Sequence, residues 1–103
     1  VVLPEIDSFV DGAAVKRMGD NTFSILKNRI DRVETIDKKQ LCQTMINLYQ
    51  FYGMIVEPAG ALSVAALANM ATEIKGKTVV CVISGGNFDP KRFPEIRELA
   101  KNG

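Results

Sequence analysis

The chain of 103 residues contains no histidine. Ser-His and Cys-His nucleophile pairs are therefore excluded within it, together with the commonest metal ligand and proton shuttle. Any chemistry that this chain performs must rest on carboxylates, hydroxyls, lysines, backbone groups or a bound cofactor.

Cysteine is scarce, with Cys42 and Cys81 alone. Their surroundings predict a helix for the first and a buried strand for the second, so neither indicates a disulfide framework or a metal cluster. A reduced, cytoplasmic compartment fits this usage best.

Excess charge and long apolar runs are also missing. Thirteen basic and twelve acidic side chains nearly cancel, so no strong field favours nucleic acid or an anionic membrane as partner. The apolar stretches are too short to cross a bilayer. The chain starts without a basic region or a long apolar segment, so we do not expect a signal peptide.

The pattern that is present predicts an α/β fold in a single domain, residues 1–103. Residues 1–7 are expected to be irregular, and strands and helices then alternate. This order favours a mostly parallel sheet with helices on both faces. Strands are predicted at 9–15 (interrupted by an Asp-Gly turn), 32–36, 54–56 and 79–83, and helices at 20–30, 37–53, 58–68 and 94–100.

The strand at 79–83 is apolar at every position and runs directly into Ser84, Gly85, Gly86 and Asn87. Such a run is typical of a strand covered on both faces, and ligands of α/β sheets bind beyond the carboxyl ends of such strands. The glycines would let the backbone approach a ligand closely, while Ser84 supplies a hydroxyl. The alternative is a tight turn in which the glycines serve only the backbone.

Glu57 stands directly before Pro58, which is well suited to the first turn of a helix. One interpretation is a carboxylate that complements the positive end of the helix dipole. The other places Glu57 at the end of the 54–56 strand, level with Ser84 on the ligand side of the sheet. A third segment, residues 11–17, is a turn followed by a solvated basic pair unless other features give it a role.

Taken together, residues 9–20, 56–63 and 82–87 resemble, in order and spacing, the C-terminal half of the catalytic domain of the biosynthetic threonine dehydratases. These enzymes, also called threonine deaminases, belong to the tryptophan-synthase-like, pyridoxal-phosphate-dependent group. The resemblance covers nearly the whole chain. It implies a lyase that converts threonine to 2-oxobutanoate and ammonia for isoleucine biosynthesis.

The resemblance also implies roles for individual residues. Ser84 matches the hydroxyl that hydrogen-bonds the pyridine nitrogen of pyridoxal 5'-phosphate, a neutral partner that makes the ring a weaker electron sink. Gly85 and Gly86 would allow the cofactor ring to approach the backbone closely, and Glu57 matches a carboxylate that lies near the ring. No catalytic residue and no metal ligand is carried over.

The family's Schiff-base lysine and tetraglycine phosphate-binding loop have no match in this chain. We therefore expect part of a catalytic domain, without a regulatory domain, that is inactive alone. Its partners would be an amino-acid substrate, the rest of the catalytic domain and further copies in a homo-oligomer. Two other interpretations remain open: a stand-alone small-ligand or phosphate-binding α/β module, and a structural domain without a site.

Overall fold

The computed structural model describes residues 2–5 and 7–102, and its regular elements there are helical. The α-helices are α1 (Asp20–Leu26), α2 (Lys38–Tyr52), α3 (Pro58–Ala65) and α4 (Phe93–Asn102). Short 3-10 turns form at Asp11–Ala13, Ala66–Met70 and Pro90–Arg92. Helix α2 lies in the middle, because α3 and α4 both pack against it.

Helix α2 has the boundaries that its sequence predicts. The Asp37 carboxylate accepts a hydrogen bond from the Gln40 N–H at 2.7 Å, which satisfies one of the free donors of the first turn. Gly53 ends the helix in the left-handed conformation at φ +66°, where glycine has no Cβ to clash. These two signals confirm the predicted start and stop.

The core forms where α2 meets its two neighbours. Leu41, Cys42 and Ile96 are its largest fully buried side chains. The small residues of α3 pack against α2, whereas the run of alanines predicts a helix packed close to a sheet. The buried apolar residues are Phe9, Leu41, Cys42, Met45, Leu48, Val56, Ala61, Ala65, Phe88, Ile96 and Ala100.

Helix α1 lies outside this core. It ends at Leu26, short of the predicted residue 30, and its N-cap is Gly19 instead of Asp20 or Asn21. It buries no side chain, and Phe23 is 54% exposed. The predicted apolar face is therefore present in the sequence but has no surface to pack against.

The strand predictions differ most from the structure. Within the described residues no strand forms, so the mostly parallel sheet is not confirmed. The segment 9–15 was wrongly predicted: its Asp-Gly pair opens the 3-10 turn Asp11–Ala13. The segment 79–83 is not covered on both faces, since Val80 is 87% exposed. A strand needs a neighbouring backbone to complete its hydrogen bonds.

The start of the chain is described only in part. Residues 2–5 and Asp7 lie outside helices and strands, as expected, while Val1 and Ile6 lie outside the described residues. No helix among the described residues has both the length and the apolar character that a membrane crossing requires.

Candidate functional site

Two of the segments singled out in the sequence meet at Glu57 and Gly85. The Glu57 N–H donates a hydrogen bond to the Gly85 carbonyl oxygen at 2.7 Å. Gly85 has φ +75°, and a Cβ built there would lie 2.0 Å from the Glu57 Cδ. The carboxylate of Glu57 therefore lies against the bare α-carbon of Gly85, and a side chain at this position would be strained and would displace the carboxylate.

Residues of helix α3 also contact the turn that contains Ser84 and Gly85. A Cβ at Gly60 would lie 1.6 Å from the Ser84 carbonyl oxygen, so the two main chains are in direct contact. One turn later, the Ser63 Oγ–H donates a hydrogen bond to the Val82 carbonyl oxygen at 2.7 Å. These contacts fix residues 82–85 along one side of α3.

The Asp11–Ala13 turn approaches from the other side of Glu57. A Cβ at Gly12 would lie 3.0 Å from the Ala59 Cβ and 3.7 Å from the Glu57 Oε1. The residues that were expected to form only a turn before a solvated basic pair therefore form one wall of the region around Glu57.

A cavity of about 260 Å³ lies between these walls. Its polar lining residues are Asp11, Glu57, Asn87, Asp89 and Arg92. A larger hollow of about 610 Å³ lies between α2 and α4, lined by Ile46, Tyr49 and Phe93 among others. It contains none of the residues that the sequence marks as a site.

The side chains at the turn differ in exposure. Ser84 and Gly86 are exposed, whereas Gly85 and Glu57 are half-buried. Around Gly86 the nearest atom to a built Cβ is the Ile55 carbonyl oxygen at 3.9 Å, so one side of the turn is open. The turn thus offers a hydroxyl and bare backbone on an open surface, next to a carboxylate.

Glu57 does not use its side chain to cap its own helix. It is the N-cap residue of α3, yet no hydrogen bond links its carboxylate to the first turn. The carboxylate still lies near the positive end of the helix dipole, as the first sequence interpretation states. The strand end of the second interpretation does not form among the described residues, although Glu57 does lie beside the Ser84–Gly85 turn. Its contact with Gly85 is the additional feature that the structure provides.

Sequence reasoning missed three residues of this region. Gly12 and Gly60 are close-contact positions, and a glycine inside a helix of small residues was the available signal for Gly60. Arg92 lines the cavity but stood in a mixed-charge segment that predicted only a solvated face. Its local sequence carries no signal of a tertiary contact.

Comparison with known proteins identifies the class. The family described as pyridoxal-phosphate dependent enzyme matches residues 1–85, which include Glu57, Ser84 and Gly85. The chain belongs to this family of enzymes.

Individual relatives are more specific. The chain is 53% identical over 98 residues to L-threonine dehydratase biosynthetic IlvA of Staphylococcus aureus, and 52% identical over 98 residues to the protein of that name in Staphylococcus saprophyticus. Each alignment covers 95% of this chain and 23% of the relative. The chain thus spans about a quarter of the length of the curated relatives it matches.

A solved structure is also similar. The processed form of threonine deaminase isoform 2 from Solanum lycopersicum matches with a TM-score of 0.88 and 29% identity, over 97% of this chain and 30% of that one. The resemblance seen in the sequence is confirmed. This likeness is consistent with the predicted α/β class, although the described residues contain no strand.

The turn fits the cofactor that gives the family its name. A flat heteroaromatic ring needs unhindered backbone on which to lie and a polar partner for its nitrogen. The open side of Gly86 and the exposed hydroxyl of Ser84 offer both. The phosphate group has no comparable partner at this turn.

Proposed function

We propose that this chain is the portion of a pyridoxal-phosphate-dependent threonine dehydratase that binds one side of the cofactor ring. The whole enzyme would convert threonine to 2-oxobutanoate and ammonia in the cytoplasm, and this portion alone would be inactive. The observation that carries the proposal is the contact of Glu57 with Gly85, directly beside the exposed Ser84 hydroxyl.

Pyridoxal phosphate, when bound, supplies a ring that draws electrons from the Cα of the amino acid. The Ser84 hydroxyl would hydrogen-bond the ring nitrogen. A hydroxyl is neutral, so it does not force a proton onto that nitrogen as a carboxylate would. With Ser84 in this position, the ring would be a weaker electron sink than one held by a carboxylate, and such a ring suits β-elimination.

The remaining residues of the turn would orient the ring. Gly85 and Gly86 have no side chains between the ring and the backbone. The Glu57 carboxylate lies at the margin of the same surface and would limit how far the ring can rotate. The backbone of Glu57 is held by its own N–H, which is bonded to the Gly85 carbonyl oxygen.

We also propose that the rest of the catalytic domain covers the exposed apolar segment at 79–83, which would then become a strand of a mostly parallel sheet. Val80 and Val82 are 87% and 78% exposed. Apolar surface of this extent favours burial against another chain segment. Further copies of the enzyme, as a homo-oligomer, would add to that burial.

The test is a hybrid enzyme in which this chain replaces the matching 98-residue segment of the Staphylococcus aureus relative. We expect the hybrid to form 2-oxoacid from threonine in a pyridoxal-phosphate-dependent reaction, and the 103-residue chain alone to form none. A folded hybrid that neither binds the cofactor nor turns over threonine would contradict the proposal.

Two substitutions test the role of Ser84 in the hybrid. Ser84→Ala should lower kcat/KM by about 10²-fold and change the absorption of the bound cofactor, because one positioned polar group at the reacting ring is lost. Ser84→Asp should increase exchange of the α-proton with solvent relative to elimination. Ser24→Ala, on the exposed helix α1, is the matched control. Full activity of Ser84→Ala with an unchanged spectrum would rule out this role.

A further inference from the structure

Arg92 has contacts that the proposed function does not use. It is the last residue of the 3-10 turn Pro90–Arg92, immediately before α4. The Asp89 carboxylate caps this turn by accepting a hydrogen bond from the Lys91 N–H at 2.9 Å. The backbone at Arg92 is therefore held in place, and its side chain turns back towards the cavity beside Glu57.

The guanidinium of Arg92 lies over two buried aromatic rings. Its Cζ is 5.3 Å from the centre of the Phe9 ring and 5.6 Å from that of the Phe88 ring. Its Nη2–H also donates a hydrogen bond to the Phe9 carbonyl oxygen at 3.4 Å. A planar cation stacks on aromatic faces in this way, and lysine does not reproduce that geometry.

The two rings belong to the two walls of the site. Phe9 precedes the turn that contains Gly12, whose neighbours are Ala59 and the Glu57 Oε1. Phe88 follows the turn in which Gly85 accepts the hydrogen bond from Glu57. The guanidinium thus contacts an aromatic ring from each wall of the cavity that it lines.

We propose that Arg92 is a positioning residue that holds the Ser84–Phe88 turn against Glu57. This inference rests on the proposed function for its catalytic consequence, but its structural content does not depend on the cofactor. The Glu57 amide reports it directly, because that N–H is bonded to the Gly85 carbonyl oxygen across the contact in question.

Three variants of the hybrid enzyme separate the contributions. Arg92→Met removes both the positive charge and the planar guanidinium group, whereas Arg92→Lys keeps the charge but not the planar group. Lys38→Met is the matched control, because the Lys38 Nζ lies 5.7 Å from the centre of the same Phe9 ring but Lys38 does not line the cavity beside Glu57.

The first measurement is amide hydrogen exchange in the cofactor-free protein. We expect Arg92→Met to speed exchange at the Glu57 amide about tenfold, Arg92→Lys to have an intermediate effect, and Lys38→Met to have none. The Leu41 amide, bonded to the Asp37 carbonyl oxygen at 3.0 Å, is the internal reference and should not change. The second measurement is pyridoxal phosphate affinity, expected to fall about tenfold in Arg92→Met.

Several results would overturn the inference. They are an unchanged Glu57 amide in Arg92→Met, an equal effect of Lys38→Met, or faster exchange at Leu41 as well, which would indicate general destabilisation. If the Glu57 amide responds as expected but no form of the hybrid binds the cofactor, the positioning role stands and the proposed function fails.

Discussion

The Glu57 N–H and the Gly85 carbonyl oxygen lie 2.7 Å apart, and the side chain of the same glutamate covers the Gly85 α-carbon. One residue thus fixes the turn through its main chain and limits it through its side chain. The hydrogen bond and the steric contact reinforce each other, because any side chain at Gly85 would displace the carboxylate.

Gly85→Ala should destabilise the protein through two separable effects. The left-handed backbone at φ +75° costs about 1–2 kcal/mol for alanine, and displacement of Glu57 adds to it. Gly53→Ala is the matched control, since Gly53 has φ +66° with no atom within 4 Å of a built Cβ. The measurement is the free energy of unfolding in denaturant.

A double-mutant cycle isolates the steric part. In a Glu57→Ala background, the cost of Gly85→Ala should fall to that of Gly53→Ala, because the carboxylate is no longer there to be displaced. Equal costs of Gly85→Ala with and without Glu57 would show that the side chain does not contact Gly85 in solution.

Gly60→Ala should act against the usual helix preference. Alanine normally stabilises a helix interior by about 1 kcal/mol relative to glycine. At Gly60 the added Cβ would lie 1.6 Å from the Ser84 carbonyl oxygen, so we expect a loss of about 1–3 kcal/mol. Thermal and denaturant unfolding measure the sign of the change in unfolding free energy. Stabilisation by Gly60→Ala would disprove the close approach of Gly60 to Ser84.

Ser63→Ala probes the same contact without adding volume. It removes the hydrogen bond from the Ser63 Oγ–H to the Val82 carbonyl oxygen and should cost about 1 kcal/mol. Ser24→Ala, on the exposed helix α1, provides the comparison. Similar unfolding free energies for the two serine variants would mean that this hydrogen bond contributes nothing measurable.

Asp37→Ala should lower the unfolding free energy by about 1 kcal/mol, because the Gln40 N–H loses its acceptor at the start of α2. Asp37→Asn retains an acceptor oxygen and should keep most of that stability. The pair therefore distinguishes capping from the loss of a negative charge, which both variants share.

Cys42 should resist alkylation under native conditions. Burial raises the pKa of its thiol to about 11, with a smaller contribution from the Glu95 carboxylate. At pH 8 roughly one thiol in a thousand is then the reactive thiolate. At pH 8, mass spectrometry after iodoacetamide treatment should find Cys42 unmodified until denaturant is added. Without denaturant, its rate of alkylation should rise as the pH is increased towards 11. Rapid native labelling at pH 8 would contradict this.

Local signals in the sequence predicted both ends of α2 and the start of α3. Asp37, Gly53 and Pro58 define boundaries through interactions with their own neighbours in the chain, so no tertiary information is needed. The departure at 9–15 has a similar local origin, because the turn preference of the Asp-Gly pair outweighs the strand preference of the apolar residues around it.

The segment at 79–83 illustrates the opposite case. Its composition reflects burial on both faces, yet Val80 and Val82 are exposed in a chain that spans about a quarter of its relatives' length. The pattern of apolar residues indicates the surroundings in which a segment is stable. Whether the segment is actually buried depends on which neighbouring segments are present. The sequence predicted that Glu57 lies near the Ser84 turn. It did not predict the contacts of Arg92, because they join Phe9 and Phe88, which are far apart in the sequence.

The direct approach of Gly60 to Ser84 has a consequence for how this region changes over time. Because main-chain atoms of Ser84 form the junction, a change of the side chain at position 84 does not alter it directly. A side chain at position 60, by contrast, would separate the two segments.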